Sequence, residues 1–375
     1  MQIAILGAGM VGRAMAIDLA KQFNVTAFDI SDRSLDTLSK KDAAVKTIKA
    51  DLGDHSNYPA LLHGFDHVIS AVPGFMGFHT LEAIINAGKN VVDISFFPED
   101  ALRLNELAKE QQVTAIVDCG VAPGMSNLIL GYHNERMAIT AFECLVGGLP
   151  KKRVKPFEYK APFSPIDVLE EYTRPARYVE NNCIVTRPAL SDPELVNFDR
   201  VGTLESFNTD GLRSILFTMP HIPNMKEKTL RYPGHIQLMR SLLDAGFFDA
   251  KPVRFKEQDI SPLEFSSSIL FDQWKLGDTE EEFTIMQVKV SDGEKTITYD
   301  LFDEYDPVTA TSSMSRTTGY TCTAALNMLM DKVFTGKGVF PPELVGKDEN
   351  CFNYIMGYLG SRNVIYKKSE QKKAI

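Results

Sequence analysis

Residues 2–20 read QIAILGAGMVGRAMAIDLA: an apolar run, Gln2–Leu6, breaks at Gly7-Ala8-Gly9-Met10-Val11-Gly12 and continues with apolar residues at helical spacing. A strand that runs into G-x-G-x-x-G and then into a helix is the turn that wraps a pyrophosphate. The first glycine permits the tight turn, the second lets the backbone approach the phosphates, and the third lets the helix pack on the strand. The uncapped N–H groups at the helix start supply positive partial charge. Gly7, Gly9, Met10, Val11 and Gly12 are therefore candidate dinucleotide contacts. Asp29 closes the next β-like run, residues 25–30. A carboxylate there accepts the ribose hydroxyls of adenosine and repels a 2′-phosphate, which favours NAD over NADP; Arg33, four residues on, softens that preference.

Outward from this turn, strand-like and helix-like runs alternate. Residues 13–22, 33–40, 58–62, 79–87 and 99–111 have helical periodicity, and Ser31 and Asp32 are good N-caps for the second of these. Residues 45–50, 67–72, 90–94 and 114–118 read as strands. This alternation predicts α/β architecture, a Rossmann-type doubly wound parallel sheet. Ligands of such sheets bind at the carboxyl ends of the strands. Asp51 and Leu52 then lie near the adenine. Ala71, Val72 and Pro73 end the fourth strand, Asp93 and Ser95 the fifth, and Asp118-Cys119-Gly120 the sixth.

The alternation fades after residue 125. Residues 141–149, 153–159, 178–186, 253–255, 282–290 and 295–300 look β-like, and Ser291-Asp292-Gly293-Glu294 is a hairpin turn. An α+β substrate and dimerisation domain with an antiparallel sheet is expected over 126–311. Residues 319–334 return to helical spacing and are expected to pack back on the first domain. The dinucleotide domain is thus 1–125 plus approximately 312–375, with the polar tail KKSEQKKAI frayed.

The 375 residues are 44% hydrophobic and 24% charged, ample apolar content for large cores, which excludes whole-chain disorder. The net charge of −9 argues against a general nucleic-acid surface. Five cysteines without a CxxC pair argue against a disulfide framework and a zinc knuckle, and point to a cytoplasmic setting. The apolar N-terminus has no basic region of a signal peptide, no run is long enough to span a membrane, and the seven dispersed histidines suggest no metal site.

The run from Val68 through VPGFMGFHTLEAIINAGKNVVDIS to VDCGVAPGMSNLILGY resembles the saccharopine dehydrogenase-like family. LESFNTDGLRSIL (204–216), EKTLRYPGH (227–235) and SRTTGYTCTAALNML (315–329) look most like its lysine 6-dehydrogenase branch. The resemblance implies NAD-dependent oxidation of an amino-acid C–N bond, foremost that of the 6-amino group of L-lysine to the semialdehyde, and a homodimer. Saccharopine or carboxynorspermidine dehydrogenase or reductase activity is the alternative; a non-enzymatic dinucleotide sensor is a third reading. An amino-acid substrate calls for a cation on the carboxylate and an anion on the ammonium. Arg213, Lys228 and Arg231 are candidate carboxylate clamps. Asp210 is the candidate ammonium partner, with Thr209 and Tyr232 beside it. His235 is the candidate proton carrier, together with Asp93. Arg174 and Arg177 are weaker pocket candidates, and Cys119 reads as a small core residue.

Overall fold

The computed structural model describes residues 1–372. The strands come in the order β1 (Gln2–Leu6), β2 (Asn24–Asp29), β3 (Lys46–Lys49), β4 (His67–Ser70), β5 (Asn90–Asp93) and β6 (Thr114–Ile116). There follow β7 (Ala141–Pro150), β8 (Ala176–Glu180), β9 (Cys183–Arg187), β10 (Glu194–Phe198), β11 (Gly202–Asn208) and β12 (Met225–Arg231). The last are β13 (Val253–Phe255), β14 (Gln258–Ile260), β15 (Glu282–Ser291), β16 (Lys295–Glu304), β17 (Gly338–Phe340) and β18 (Tyr366–Lys372). The described residues form two compact units: Met1–Ala138 with Met314–Tyr366, and Ile139–Ser313 with 367–372. The first unit therefore runs past residue 125, because helix Met125–Asn134 belongs to it.

The first unit holds a seven-stranded sheet in the order β17-β6-β5-β4-β1-β2-β3. Its pairs are parallel. Helices cover both faces of such a sheet, so its strands are continuous apolar runs: Ile3–Leu6 and Val91–Val92 have no exposed surface. Strand order reverses at β1, which has β2 on one side and β4 on the other. Two helices start earlier than their periodicity suggests. Helix Met10–Ala20 begins directly after Gly9, and helix Gly74–Asn86 begins at the residue after Pro73. Their first turns contain Gly12 and Gly77, which have no side chain to mark an apolar face. The expected helix 99–111 is instead a 3₁₀ turn, Ala101–Leu104, followed by helix Asn105–Glu110; the Asp100 carboxylate accepts the Leu102 N–H at 3.0 Å and closes that turn.

Helix Ser313–Met330 joins the first unit from Met314 on. Gly319 lets it approach helix Met10–Ala20, since a Cβ there would meet Met15 at 3.1 Å. Asp18, on the same helix Met10–Ala20, is buried and accepts from Thr323 (2.8 Å), Tyr358 (2.8 Å) and the Nε of Arg362 (2.9 Å). The helix whose start follows the glycine turn is thereby tied to two late segments of the chain.

The second unit carries a nine-stranded sheet with β7 at its centre, between β12 and β15. The sheet is mixed rather than purely antiparallel, because β12 and β7 pair in parallel. The connection between them is long and contains helix Pro165–Thr173, which parallel pairing requires. The hairpin β15–β16 turns at Gly293, whose φ is +94°. Residues 153–159 form no strand: Pro156 has no N–H to give to a ladder. The tail is not frayed over the described residues, since β18 pairs beside β16. Its polar sequence hides it, because an edge strand exposed on both faces has no apolar alternation. Residues 373–375 lie outside the described residues. Among the described residues, no helix is long and apolar enough to cross a membrane.

Asp18 is buried with a charged partner, so removing its carboxylate strands Arg362. Asp18→Ala should cost about 3 kcal/mol, read from the urea midpoint; a cost below about 1 kcal/mol would deny the network a structural role.

Candidate functional site

The carboxyl edge of the parallel sheet is a row of turns linked by backbone hydrogen bonds. Gly7 N–H donates to Phe28 (2.8 Å), Ala71 N–H to Leu6 (2.8 Å), Ile94 N–H to Ser70 (3.0 Å) and Cys119 N–H to Asp93 (3.0 Å). The ends of β1, β2, β4 and β5 and the residues after β6 are thus held in register. Gly7 has φ +106°, and a Cβ there would lie 2.5 Å from the Ala71 carbonyl oxygen. A Cβ on Gly12 would lie 2.1 Å from the Gly7 carbonyl oxygen. Both positions exclude any side chain. Gly9 differs: nothing stands within 4 Å of where its Cβ would be. It is the N-cap of helix Met10–Ala20, with no side chain capping that end. The start of the helix, with Met10 and Val11 in its first turn, therefore offers N–H groups to open space beside a bare backbone. These residues fit a dinucleotide pyrophosphate.

Asp29 lies at the end of β2. One carboxylate oxygen accepts the Ala8 N–H at 2.7 Å and the other the Ser31 N–H at 2.8 Å. The carboxylate braces the glycine turn, and each oxygen retains a lone pair for a ribose hydroxyl. After β3, the Asp51 carboxylate accepts from the Gly53 N–H (2.9 Å), and the Leu52 carbonyl accepts from Tyr58 (2.9 Å). Ala71, Val72 and Pro73 lead from β4 into helix Gly74–Asn86.

Beyond them, Asp93 is fully buried. Its two oxygens accept the Ser95 hydroxyl (2.9 Å) and the Ser95 N–H (3.1 Å), and the Ser70 oxygen stands 3.5 Å from that of Ser95. Burial pushes Asp93 up to about 7; the donors from Ser70 and Ser95 pull it down and the nearby Asp118 pushes it further up. Ser70 and Asp118 were not among the foremost candidates. Ser70 closes the apolar strand β4, and only the proximity of β4, β5 and β6 shows that it belongs to this group. Cys119 is buried, with its thiol pushed well up by burial, as fits a core residue.

In the second unit the nominated residues cluster but satisfy one another. Asp210 is locked by Arg177, whose Nε and Nη2 donate to its two oxygens at 2.9 and 2.8 Å. Arg177, the weaker candidate, is thus the partner of the stronger one, and Asp210 is no open ammonium site. Arg231, 2% exposed, uses its guanidinium internally. It donates to Tyr172 (2.9 Å), the Leu230 carbonyl (3.0 Å) and Glu171 (2.8 Å), and stands 4.4 Å from the centre of the Tyr159 ring. Burial opposes its charge, but Tyr159, Tyr172 and Glu171 outweigh that and its pKa is raised. It is a structural cation rather than a free carboxylate clamp. Lys228, also buried, donates to the Asp192 carbonyl (2.8 Å) and pairs with Glu194 (3.1 Å).

His235 donates from Nδ1 to the Phe157 carbonyl (2.9 Å), and its Nε2 then accepts from the Tyr172 hydroxyl (2.9 Å). Burial, with Arg231 beside it, lowers its pKa to about 3. Both ring nitrogens of this imidazole, the candidate proton carrier, are engaged by groups of the protein. Thr209 and Thr229 face each other at 3.0 Å, and the Tyr232 hydroxyl donates to the Pro150 carbonyl at 2.9 Å. Arg213 is 6% exposed, at φ +53° in the loop after β11. Sequence reasoning missed Glu171, Tyr172 and Tyr159, which no motif marks; they are the groups that absorb Arg231.

The family model described as the saccharopine dehydrogenase NADP binding domain matches residues 3–116, and that of the saccharopine dehydrogenase C-terminal domain matches residues 120–365. The chain belongs to the saccharopine dehydrogenase family. A saccharopine dehydrogenase [NADP(+), L-glutamate-forming] of Pyricularia oryzae is 24% identical over 286 residues, covering 72% of this chain and 62% of the relative. One from Schizosaccharomyces pombe is 26% identical over 275 residues, 66% of this chain and 58% of the relative. An alpha-aminoadipic semialdehyde synthase of Arabidopsis thaliana is 26% identical over 286 residues, 66% of this chain but 27% of the relative. The match thus spans less than two thirds of the length of these relatives. The apo structure of a saccharopine dehydrogenase (L-Glu forming) from Saccharomyces cerevisiae shares the fold, with a TM-score of 0.79, 21% identity and 99% coverage of both chains. The matched domain and the fungal relatives carry NADP in their descriptions, which leans against the NAD expectation drawn from Asp29.

The folded pKa of Asp93 lies above its unfolded value. The stability tied to its neutral form is therefore present below about pH 4 and is lost as pH rises through about 7. Asp93→Asn should be more stable than the parent at about pH 8 by up to ~4 kcal/mol, and this advantage should vanish near about pH 4. A stability difference that does not change with pH would contradict the shift.

Proposed function

We propose that the chain is a nicotinamide-dinucleotide oxidoreductase acting on the C–N bond of an amino acid, with NAD preferred and L-lysine, oxidised at its 6-amino group, as the favoured substrate. The glycine cradle at the switch point carries this reading: two glycines that exclude a side chain and one that faces open space. When bound, the dinucleotide supplies the hydride acceptor. The residues of the chain do the rest. Gly9 and the start of helix Met10–Ala20 receive the phosphates, and Asp29 takes the ribose hydroxyls. The turns after β4, β5 and β6 line the nicotinamide side of the cleft. A lysine-like amine with a pKa near ~10.4 must lose a proton before hydride can leave.

The preference for NAD rests on Asp29, a carboxylate where a 2′-phosphate would bring further negative charge. The preference for lysine over saccharopine rests on the second unit. Saccharopine carries more carboxylates than lysine and needs more cationic anchors, whereas Arg177, Lys228 and Arg231 are each spent on groups of the protein. The second reading, saccharopine oxidation with NADP, is favoured by the names of the relatives.

Initial rates with NAD and NADP against L-lysine and saccharopine, together with ammonia release, separate the two. The proposal expects lysine turnover with NAD and free ammonia; saccharopine turnover with NADP and no ammonia would replace it. Asp29→Ser should lower kcat/KM for NAD by about tenfold or more, the ~1.5–3 kcal/mol of a hydrogen bond to a charged group, and should improve NADP relative to NAD. An unchanged cofactor ratio would remove Asp29 from the ribose site.

A further inference from the structure

The end of β5 and the turn after β6 bury two acids on the side of the sheet edge away from Asp29. Asp93 has no exposed surface and Asp118 is 5% exposed. The groups that face Asp93 come from three elements. Ser95 after β5 gives it two hydrogen bonds, the Ser70 hydroxyl at the end of β4 lies beside that of Ser95, and Asp118 after β6 adds a second acid. Cys119 after β6 and Cys322 from helix Ser313–Met330 sense its charge. Burial raises both thiols, which keeps them neutral. Among the described residues, the groups that shift Asp93 are thus hydroxyls, a backbone N–H and an acid.

An oxidised nicotinamide ring is a cation and a reduced one is neutral. We propose that the carboxylate of Asp93, with Asp118 beside it, sets the relative affinity of this chain for oxidised and reduced dinucleotide. The inference rests on the dinucleotide reading of the glycine cradle. Asp93 ends β5, whose turn the proposed function gives to the nicotinamide side; the turn at Gly7 that takes the phosphates lies two strand spacings, about 10 Å, away across β4. A ring charge within about 10 Å of Asp93, at an effective dielectric of about 20, changes a binding constant roughly tenfold or more. The effect acts through space, so Asp93 need not touch the ring. Its bonds to Ser95 hold the charge in one place, which makes it a positioning residue of the electrostatic kind.

The sign follows from linkage. A cationic ring favours ionised Asp93, so the oxidised cofactor binds with release of a proton where Asp93 is partly protonated, near about pH 7. The neutral ring gives no such release. The dissociation constant for the reduced cofactor divided by that for the oxidised one should therefore climb as pH rises from about 6 to about 8, by up to roughly tenfold.

Both cofactors are titrated onto the whole chain, the reduced one by its fluorescence and the oxidised one by calorimetry in two buffers of different ionisation heat. The wild type should show the climbing ratio, with proton release on oxidised cofactor only. Asp93→Asn should flatten the ratio and abolish the release. Ser95→Ala keeps the acid but removes a donor that pulls Asp93 down, so the climb should persist and move to higher pH, which a merely structural role for this turn would not predict. A wild-type ratio that does not change with pH, or an Asp93→Asn ratio that climbs as the wild type's does, would overturn the inference. Should Asp93→Asn fail to fold, the two-buffer measurement on the wild type decides alone. Tight binding with a flat ratio defeats only this inference; no binding of either cofactor defeats the dinucleotide reading as well.

Discussion

The carbonyl oxygen of Gly7 lies 2.1 Å from where a Cβ on residue 12 would stand, and the rest of the first unit depends on that approach. It lets helix Met10–Ala20 pack down on the end of β1 and aim its uncapped N-terminus along the sheet edge. The approach is held from several directions. Asp29 accepts the Ala8 N–H, Ala71 bonds back to β1, and Asp18 fixes the body of the helix to Thr323, Tyr358 and Arg362. A site that must present bare backbone to a phosphate cannot use side chains to hold that backbone. Neighbouring strands and a distant ion pair hold it instead.

Asp93 and the buried charges of the second unit follow different rules. In the second unit buried charges are answered by opposite ones: Asp210 by Arg177, Arg231 by Glu171, Lys228 by Glu194. Such pairs stabilise a fold only through good geometry, and the Arg231 fork between Tyr172, Leu230 and Glu171 supplies it. Asp93 is balanced by donors and faces another acid, so its proton is loosely held near neutrality. Perturbed groups of this kind mark functional sites more often than neutralised pairs do.

Much of the first unit was legible in the sequence because its signals are local. A strand, a glycine turn and a helix lie within residues 2–20, and Asp29 and Asp93 fall at strand ends that apolar runs mark. The late strand β17 and the start of helix Gly74–Asn86 were not legible: three residues make no period, and glycines carry no face. The second unit was harder. Arg231, His235 and Asp210 have the chemistry of a substrate site, yet each is answered by a residue far away in sequence. Tyr172 lies 63 residues from His235 and Arg177 lies 33 from Asp210. Residue type names what a group can do; only packing shows whether it is already engaged.

The open space at Gly9 allows the most direct test of the account, because it separates folding from binding. Gly9 has an ordinary negative φ and nothing near its Cβ position, so Gly9→Ala should fold with an almost unchanged Tm. The added methyl would occupy the path of the pyrophosphate. Its binding constant for dinucleotide, measured by calorimetry, should weaken by about tenfold or more, the worth of one lost hydrogen bond to a charged group. A variant that keeps its Tm and binds dinucleotide as tightly as the wild type would contradict the assignment of this cradle to the phosphates.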